Sequence, residues 1–137
     1  FPDASPVTVP SKLATIVPTD PDATSELRVA SGIKVNLTAG VTNAESVILG
    51  GVANHIYTIL SVTLCETGGA AETFDMYVDD NAGGTDYEIL SDSALGANET
   101  FVYNDRLVLS GTDALCVALA SAGNVDVVVS YIDQDWT

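Results

Sequence analysis

The sequence predicts an all-β protein: an antiparallel β-sandwich, a jelly roll, preceded by an extended proline-rich N-terminal arm. Three observations carry this. From Leu27 onward apolar and polar residues alternate over short runs, the period of half-buried strands. Turns rich in Gly, Asn, Asp and Ser separate those runs at regular spacing. No stretch keeps the apolar spacing of an amphipathic helix. With 137 residues, 47% of them hydrophobic, the chain suffices for one domain with a core of its own.

The arm comes first. All five prolines, Pro2, Pro6, Pro10, Pro18 and Pro21, fall within the first 21 residues. Each lacks an amide donor and fixes its own φ, so this segment makes neither a helix nor a central strand. Residues 1–26 therefore read as the arm and residues 27–137 as the sandwich. Val7, Val9, Leu13, Ile16 and Val17 stand among the prolines, where a solvated linker has little use for apolar side chains. With Lys12 and Arg28 they are the candidate contact residues of an arm that lies on its own domain or on a neighbouring subunit.

The strands follow in order. "LRVASGIKVNLTAG" places Ile33, Val35 and Leu37 on one face, and "ESVILGG" is a short apolar run stopped by two glycines. Residues 55–65 and 73–79 read as a hairpin joined by Gly68, Gly69, Ala70 and Ala71. In it Leu60, Val62 and Leu64 oppose Ser61, Thr63 and Cys65, and Phe74, Met76 and Val78 alternate with Asp75, Tyr77 and Asp79. A polar loop leads to a short strand around Tyr87–Leu90 and a turn, "SDSALGANE". Four more strands are expected near 100–103, 106–109, 114–119 and 125–132. The expected core is Leu60, Val62, Leu64, Phe74, Met76, Val78, Val117, Leu119, Val127 and Val129.

Charge excludes some functions. The net charge is −15, and residues 49–137 hold 14 acidic side chains against the single Arg106. Phosphate backbones need Lys and Arg, so no nucleic acid is expected as partner. Runs such as Val125–Val129 are far too short to span a bilayer, so no membrane is expected either. Cys65 and Cys116 lie in separate strands, open to reading as two buried thiols or as a disulfide across the core.

Catalytic signals are absent. His55 is the sole histidine and has no nucleophile signature beside it, so it reads as a strand-end residue at a surface or subunit contact. No enzyme and no cofactor are expected. Asp79, Asp80 and Asp86 crowd one loop as candidate calcium ligands, but the spacing is not that of an EF-hand and a solvated loop explains them. The aromatics Tyr57, Tyr77, Tyr87, Phe101, Tyr103, Tyr131 and Trp136 read as cross-strand core and interface residues before they read as a sugar-stacking platform.

The succession "HIYTILSVTLCETGGAAETFDMYV", a polar loop, then "ALGANETFVYNDRLVLSGTDALCVALASAGNVDVVVSYID" resembles the small β-sandwich virion proteins of tailed bacteriophages over residues 52–133. The resemblance rests on turn and strand signatures: Thr67–Ala71, Leu95–Thr100, Leu109–Asp113 and Ala122–Val127. It implies a capsid decoration or cement protein on the outer surface of the virion, a homotrimer whose partner is the major capsid protein or another virion protein. It implies no catalytic residue. Two other readings stay open. One is a phage tail-fibre or secreted carbohydrate-binding sandwich, which calls for an exposed aromatic strip. The other is an extracellular pilus or surface-layer subunit that uses the arm as a donor strand, with a signal peptide encoded upstream of Phe1.

Overall fold

The structure is a computed structural model and describes residues 32–136. The arm contacts Val7, Val9, Lys12, Leu13, Ile16, Val17 and Arg28, and the boundary at Leu27, lie outside the described residues. Within them are nine strands: β1 (Ile33–Val41), β2 (Ser46–Gly50), β3 (His55–Glu66), β4 (Glu72–Asp79), β5 (Asp86–Leu95), β6 (Thr100–Tyr103), β7 (Leu107–Ser110), β8 (Ala114–Leu119) and β9 (Val125–Asp135). They form two antiparallel sheets. The front sheet runs β1-β9-β3-β6, with β7 also on β3, and the back sheet runs β2-β8-β4-β5.

The pairings are nested: β1 with β9, β2 with β8, β3 with β6 and β7, β4 with β5. A long antiparallel ribbon rolled over itself gives this order, which is the jelly roll. Rolling buries one side of each sheet against the other. Ile48, Ile59, Val62, Leu64, Phe74, Met76, Leu115, Val117, Val125, Val127 and Val129 form a single core between the sheets.

Three expectations need correction, and one alternative left open is decided. Residues 55–79 are not a hairpin: β3 lies in the front sheet and β4 in the back sheet, with no pairing between them. Both strands alternate, but their apolar sides face each other across the core. The loop between them arches from sheet to sheet, and Gly69, at φ +83, takes a backbone conformation that a side chain strains.

Leu60 is the second correction. The β3–β9 register slips between Ile59 and Ser61, so Ile59 is fully buried while Leu60 is only half-buried at the bulge. Val78 is likewise half-buried, though packed on the core, and the other eight expected core residues are buried.

Third, β5 continues through most of the expected turn, to Leu95, absorbing Asp92 at φ +49 and two register shifts against β4. The amide of Asp92 donates to Asp75 Oδ1 at 2.7 Å, which holds the irregular backbone in the ladder.

Of the two readings open for the cysteines, the disulfide across the core is the one that falls, because they do not meet there. Cys65 pairs with Asp126 and Thr100 on the outside of the front sheet, and Cys116 pairs with Tyr77 and Val47 on the outside of the back sheet. Both are free thiols.

Asp substitutions at two neighbouring positions test the bulge. Val62→Asp puts an unpaired charge at a fully buried site and is expected to destabilise the fold by about 3–5 kcal/mol. Leu60→Asp, on the half-buried bulge, is expected to cost far less. Thermal melts of both check this, and equal losses place the bulge elsewhere.

Candidate functional site

β1 has the alternation of a half-buried strand turned inside out. Its polar members Lys34, Asn36 and Thr38 pair with Tyr131, Val129 and Val127, on the side of the sheet that faces the core. Its apolar members face outward, with Ile33 74%, Val35 54% and Leu37 69% exposed. The inner positions are polar because they meet polar partners: Lys34 Nζ donates to Asp133 at 2.8 Å, and Asn36 Nδ2 donates to the carbonyl of Ile48 at 2.6 Å.

The register extends this outer side across the front sheet. Leu37 pairs with Val128, Val128 with Thr63, and Thr63 with Val102. Ile33 pairs with Ile132, Ile132 with Thr58, and Thr58 with Val108. Between these two rows runs a third of smaller groups, Val35, Ser130 and Ser61. None of the three rows carries a charge, and Val102 and Val108 are more than half exposed. Charges stand at the margins: Asp126, beside Cys65, with its Oδ1 accepting the Gly40 amide at 3.0 Å, and Asp105 with Arg106 in the link from β6 to β7.

The back sheet has the opposite character. Asp79 pairs with Asp86, and Tyr77 with Glu88 and Cys116, while Asp75 opposes Ala118. Tyr77, Ala114 and Cys116 form a small buried cluster outside the main core. Glu45, Asp79 and Cys116 present ligand atoms within 4.8 Å of one another. Asp79 Oδ1 is engaged by the amides of Gly83 and Gly84 at 2.8 and 3.0 Å, and Glu45 accepts the Tyr77 hydroxyl at 2.8 Å. Burial, with Glu45 alongside, pushes the Cys116 thiol up to about 12, so it stays protonated at neutral pH. Of the candidate calcium ligands, the fold brings Asp79 and Asp86 together. Asp80 instead stands in a 3-10 turn, Asp80–Ala82, with its carboxylate 3.3 Å from Asn81 Nδ2. Glu45 and Cys116, remote in sequence from that loop, had no local signal to mark them.

Two buried carboxylates tie strands together. Asp133, 4% exposed at its side chain, takes Lys34 Nζ on one oxygen and His55 Nδ1 on the other, both at 2.8 Å, and so links β1, β3 and β9. His55 is thus a strand-end residue inside a polar latch. Glu66, 1% exposed, accepts the amides of Gly68, Gly69 and Asn98 at 2.7, 2.9 and 2.9 Å. The sheet-to-sheet arch and the turn before β6 close on this one side chain.

The aromatic residues make no strip. Tyr57 and Tyr77 are buried, while Phe101, Tyr103 and Tyr131 pack on the core. Only Tyr87 and Trp136 are exposed among the described aromatics; Tyr87 lies on β5 of the back sheet and Trp136 follows the end of β9.

No family model and no curated protein matches the chain. Among solved structures, one described by the words "Bacillus endospore appendages form a novel family of disulfide-linked pili" superposes with a TM-score of 0.42 at 13% identity. The match covers 85% of this chain and 99% of that one. At that similarity no function passes from one to the other.

Titration separates two sets of carboxylates. Glu66 is held below the usual range first by the Asn98 amide, with burial opposing and the amides of Gly68, Gly69 and Ala70 assisting. For Asp133, burial pushes upward, but the hydrogen bonds from Lys34 and His55 outweigh it and the net direction is down. With folded values below unfolded ones, both stabilise the fold above the ordinary carboxylate range, and that stabilisation is lost as pH falls through the folded values. Asp86 and Glu88 go the other way. Burial comes first, then the carboxylates of Asp79 and Glu45 around Asp86 and of Asp75, Asp86 and Asp92 around Glu88. Their charged forms destabilise the fold, a cost relieved as pH falls through the raised values.

The melting temperature is therefore expected to rise modestly as pH falls from neutral toward the ordinary carboxylate range and to fall steeply below that range. Asp86→Asn with Glu88→Gln should flatten the rise, and Glu66→Gln should lower the melt at neutral pH and shrink the acid loss. Asp133→Ala, which removes the partner of His55 Nδ1 and leaves only Asp135 at 3.5 Å from Nε2, is expected to cost about 1–3 kcal/mol. Thermal melts across pH check all three, and an unshifted acid limb in Glu66→Gln would falsify the role given to that carboxylate.

Proposed function

We propose that this chain is a non-enzymatic structural protein of a tailed-phage virion, a decoration or cement protein on the outer capsid surface. One observation supports the reading above the others: the sandwich has an uncharged, partly apolar front and a carboxylate-rich back. A lattice component needs such a division, because one side must be buried against neighbours while the other meets solvent and repels further particles. Its work is burial of surface with no turnover. The proline-rich arm, residues 1–26, grips the shell through Val7, Val9, Leu13, Ile16 and Val17. Prolines lower the entropy lost on pinning such a segment, so more of its apolar contact appears as affinity.

Purified particles are expected to contain the chain at a fixed stoichiometry to the major capsid protein, read by quantitative mass spectrometry. Its absence from them removes the reading. A chain lacking residues 1–26 should keep its melting transition yet fail to sediment with undecorated capsids. Binding of the full chain should depend only weakly on salt, since Lys12 is the arm's sole basic residue. Full co-sedimentation of the truncated form would move the contact onto the sandwich.

A further inference from the structure

We propose that the outer face of the front sheet is the surface through which two copies of this chain associate about a twofold axis. The proposal goes beyond the virion reading, because it concerns the isolated protein and holds or fails without a particle.

The chemistry of the face argues for burial. Ile33, Val35, Leu37, Val102 and Val108 are each more than half exposed, and Val128 is 38% exposed at the middle of the same side. A strand that turns Lys34 and Asn36 inward and three large apolar residues outward forgoes hydrophobic stabilisation unless something covers that outer side. Nine residues of β9, Asp126 to Gln134, span about 30 Å, and four strands at about 4.8 Å spacing span close to 20 Å. The resulting flat area is on the order of 500–600 Å² before side-chain relief is counted. That approaches the ~800 Å² per partner of a standard stable interface.

The pattern of the face selects a second copy. Its rows run apolar, small, apolar: Leu37-Val128-Thr63-Val102, then Val35-Ser130-Ser61, then Ile33-Ile132-Thr58-Val108. Take a twofold axis in the plane of the face, along the strands or along the middle row. Apolar rows then meet apolar rows, and the small serines meet at the centre. A flat face can meet itself in this isologous way, whereas a trimer needs two different complementary patches on each subunit. The pairing is therefore twofold, in place of the threefold association that the resemblance implies.

Electrostatics selects the same arrangement. Each chain carries −15, and its back face holds Asp75, Asp86, Glu88 and Asp92. Joined front to front, the two back sheets stand three sheet spacings apart, about 30 Å. The Debye length at physiological salt is about 8 Å, so their repulsion is largely screened. Any pairing through the back face brings those carboxylates into contact.

Sedimentation equilibrium of the full chain tests this, from about 1 µM to about 500 µM. The mass is expected to climb from one to two copies of the 14.2 kDa chain, with added salt leaving the dimer unchanged or tighter. Val128→Lys and Val102→Lys should each weaken the dimer at least about 30-fold, as loss of a hot-spot contact does, without lowering the melting temperature measured at a concentration where the wild type is a monomer. Val47→Lys, 52% exposed on the back sheet, should leave it intact. A single-chain mass at every concentration, a three-chain mass, or a dimer unmoved by both front-face lysines overturns the proposal. So does dissociation by Val47→Lys. A wild-type monomer in which Leu37→Lys opens residues 1–26 to protease would assign the face to the chain's own N-terminal segment, and overturns it too.

Discussion

The fold turns on the passage from β3 to β4, where the chain leaves one sheet and enters the other. Strands that follow each other so closely ordinarily pair, and the intervening glycines suit a hairpin. Glu66 supplies the alternative. Its buried carboxylate collects amides that the arch leaves without ladder partners, from Gly68 and Gly69, and takes the Asn98 amide from the turn that launches β6. A carboxylate receiving several backbone donors is stable away from water, and those donors would otherwise be costly there. Once β3 and β4 are committed to opposite sheets, β9 and β8 must be their respective partners, and the nested roll follows.

Edges are handled by polar contacts that apolar packing does not provide. Gly51 shows how close the backbone comes: its amide donates to the Asp113 carbonyl at 2.8 Å, and a Cβ there would collide with the carbonyls of Gly111 and Asp113. The Asp133 latch does the same work at the far end of the front sheet. Its Lys34 arm is half exposed and screened by solvent, so the His55 arm, which is mostly buried, holds the greater share. These contacts let β1 occupy an edge position although its apolar residues do not face the core.

The charge distribution and the hydrophobic distribution are two sides of one arrangement. Carboxylates concentrate where β4 and β5 meet, raising the affinity of Asp86 and Glu88 for protons, while the three rows of the front face carry no charge. A sandwich buries only the inner side of each sheet, so the outer sides are free to differ. Here they differ strongly, and association is the natural use of the uncharged side.

Alternation and turn chemistry by themselves determined the fold class, most strand positions and eight of the ten expected core residues, because period-two burial and Gly- or Asn-bearing turns are local properties. They did not determine which strands pair. The contacts that decide it, Glu66 with Asn98 and β3 with β9, join residues far apart in the chain. Nor did alternation say which side of β1 is inside, since Ile33, Val35 and Leu37 read the same whether they face a core or a partner. Leu60 was misplaced for a related reason: a bulge shifts the phase by one residue and leaves composition untouched. The uncharged front face was therefore invisible in the sequence. Two of its rows take one residue from each of four strands and the middle row one from each of three, and only the tertiary register sets them side by side.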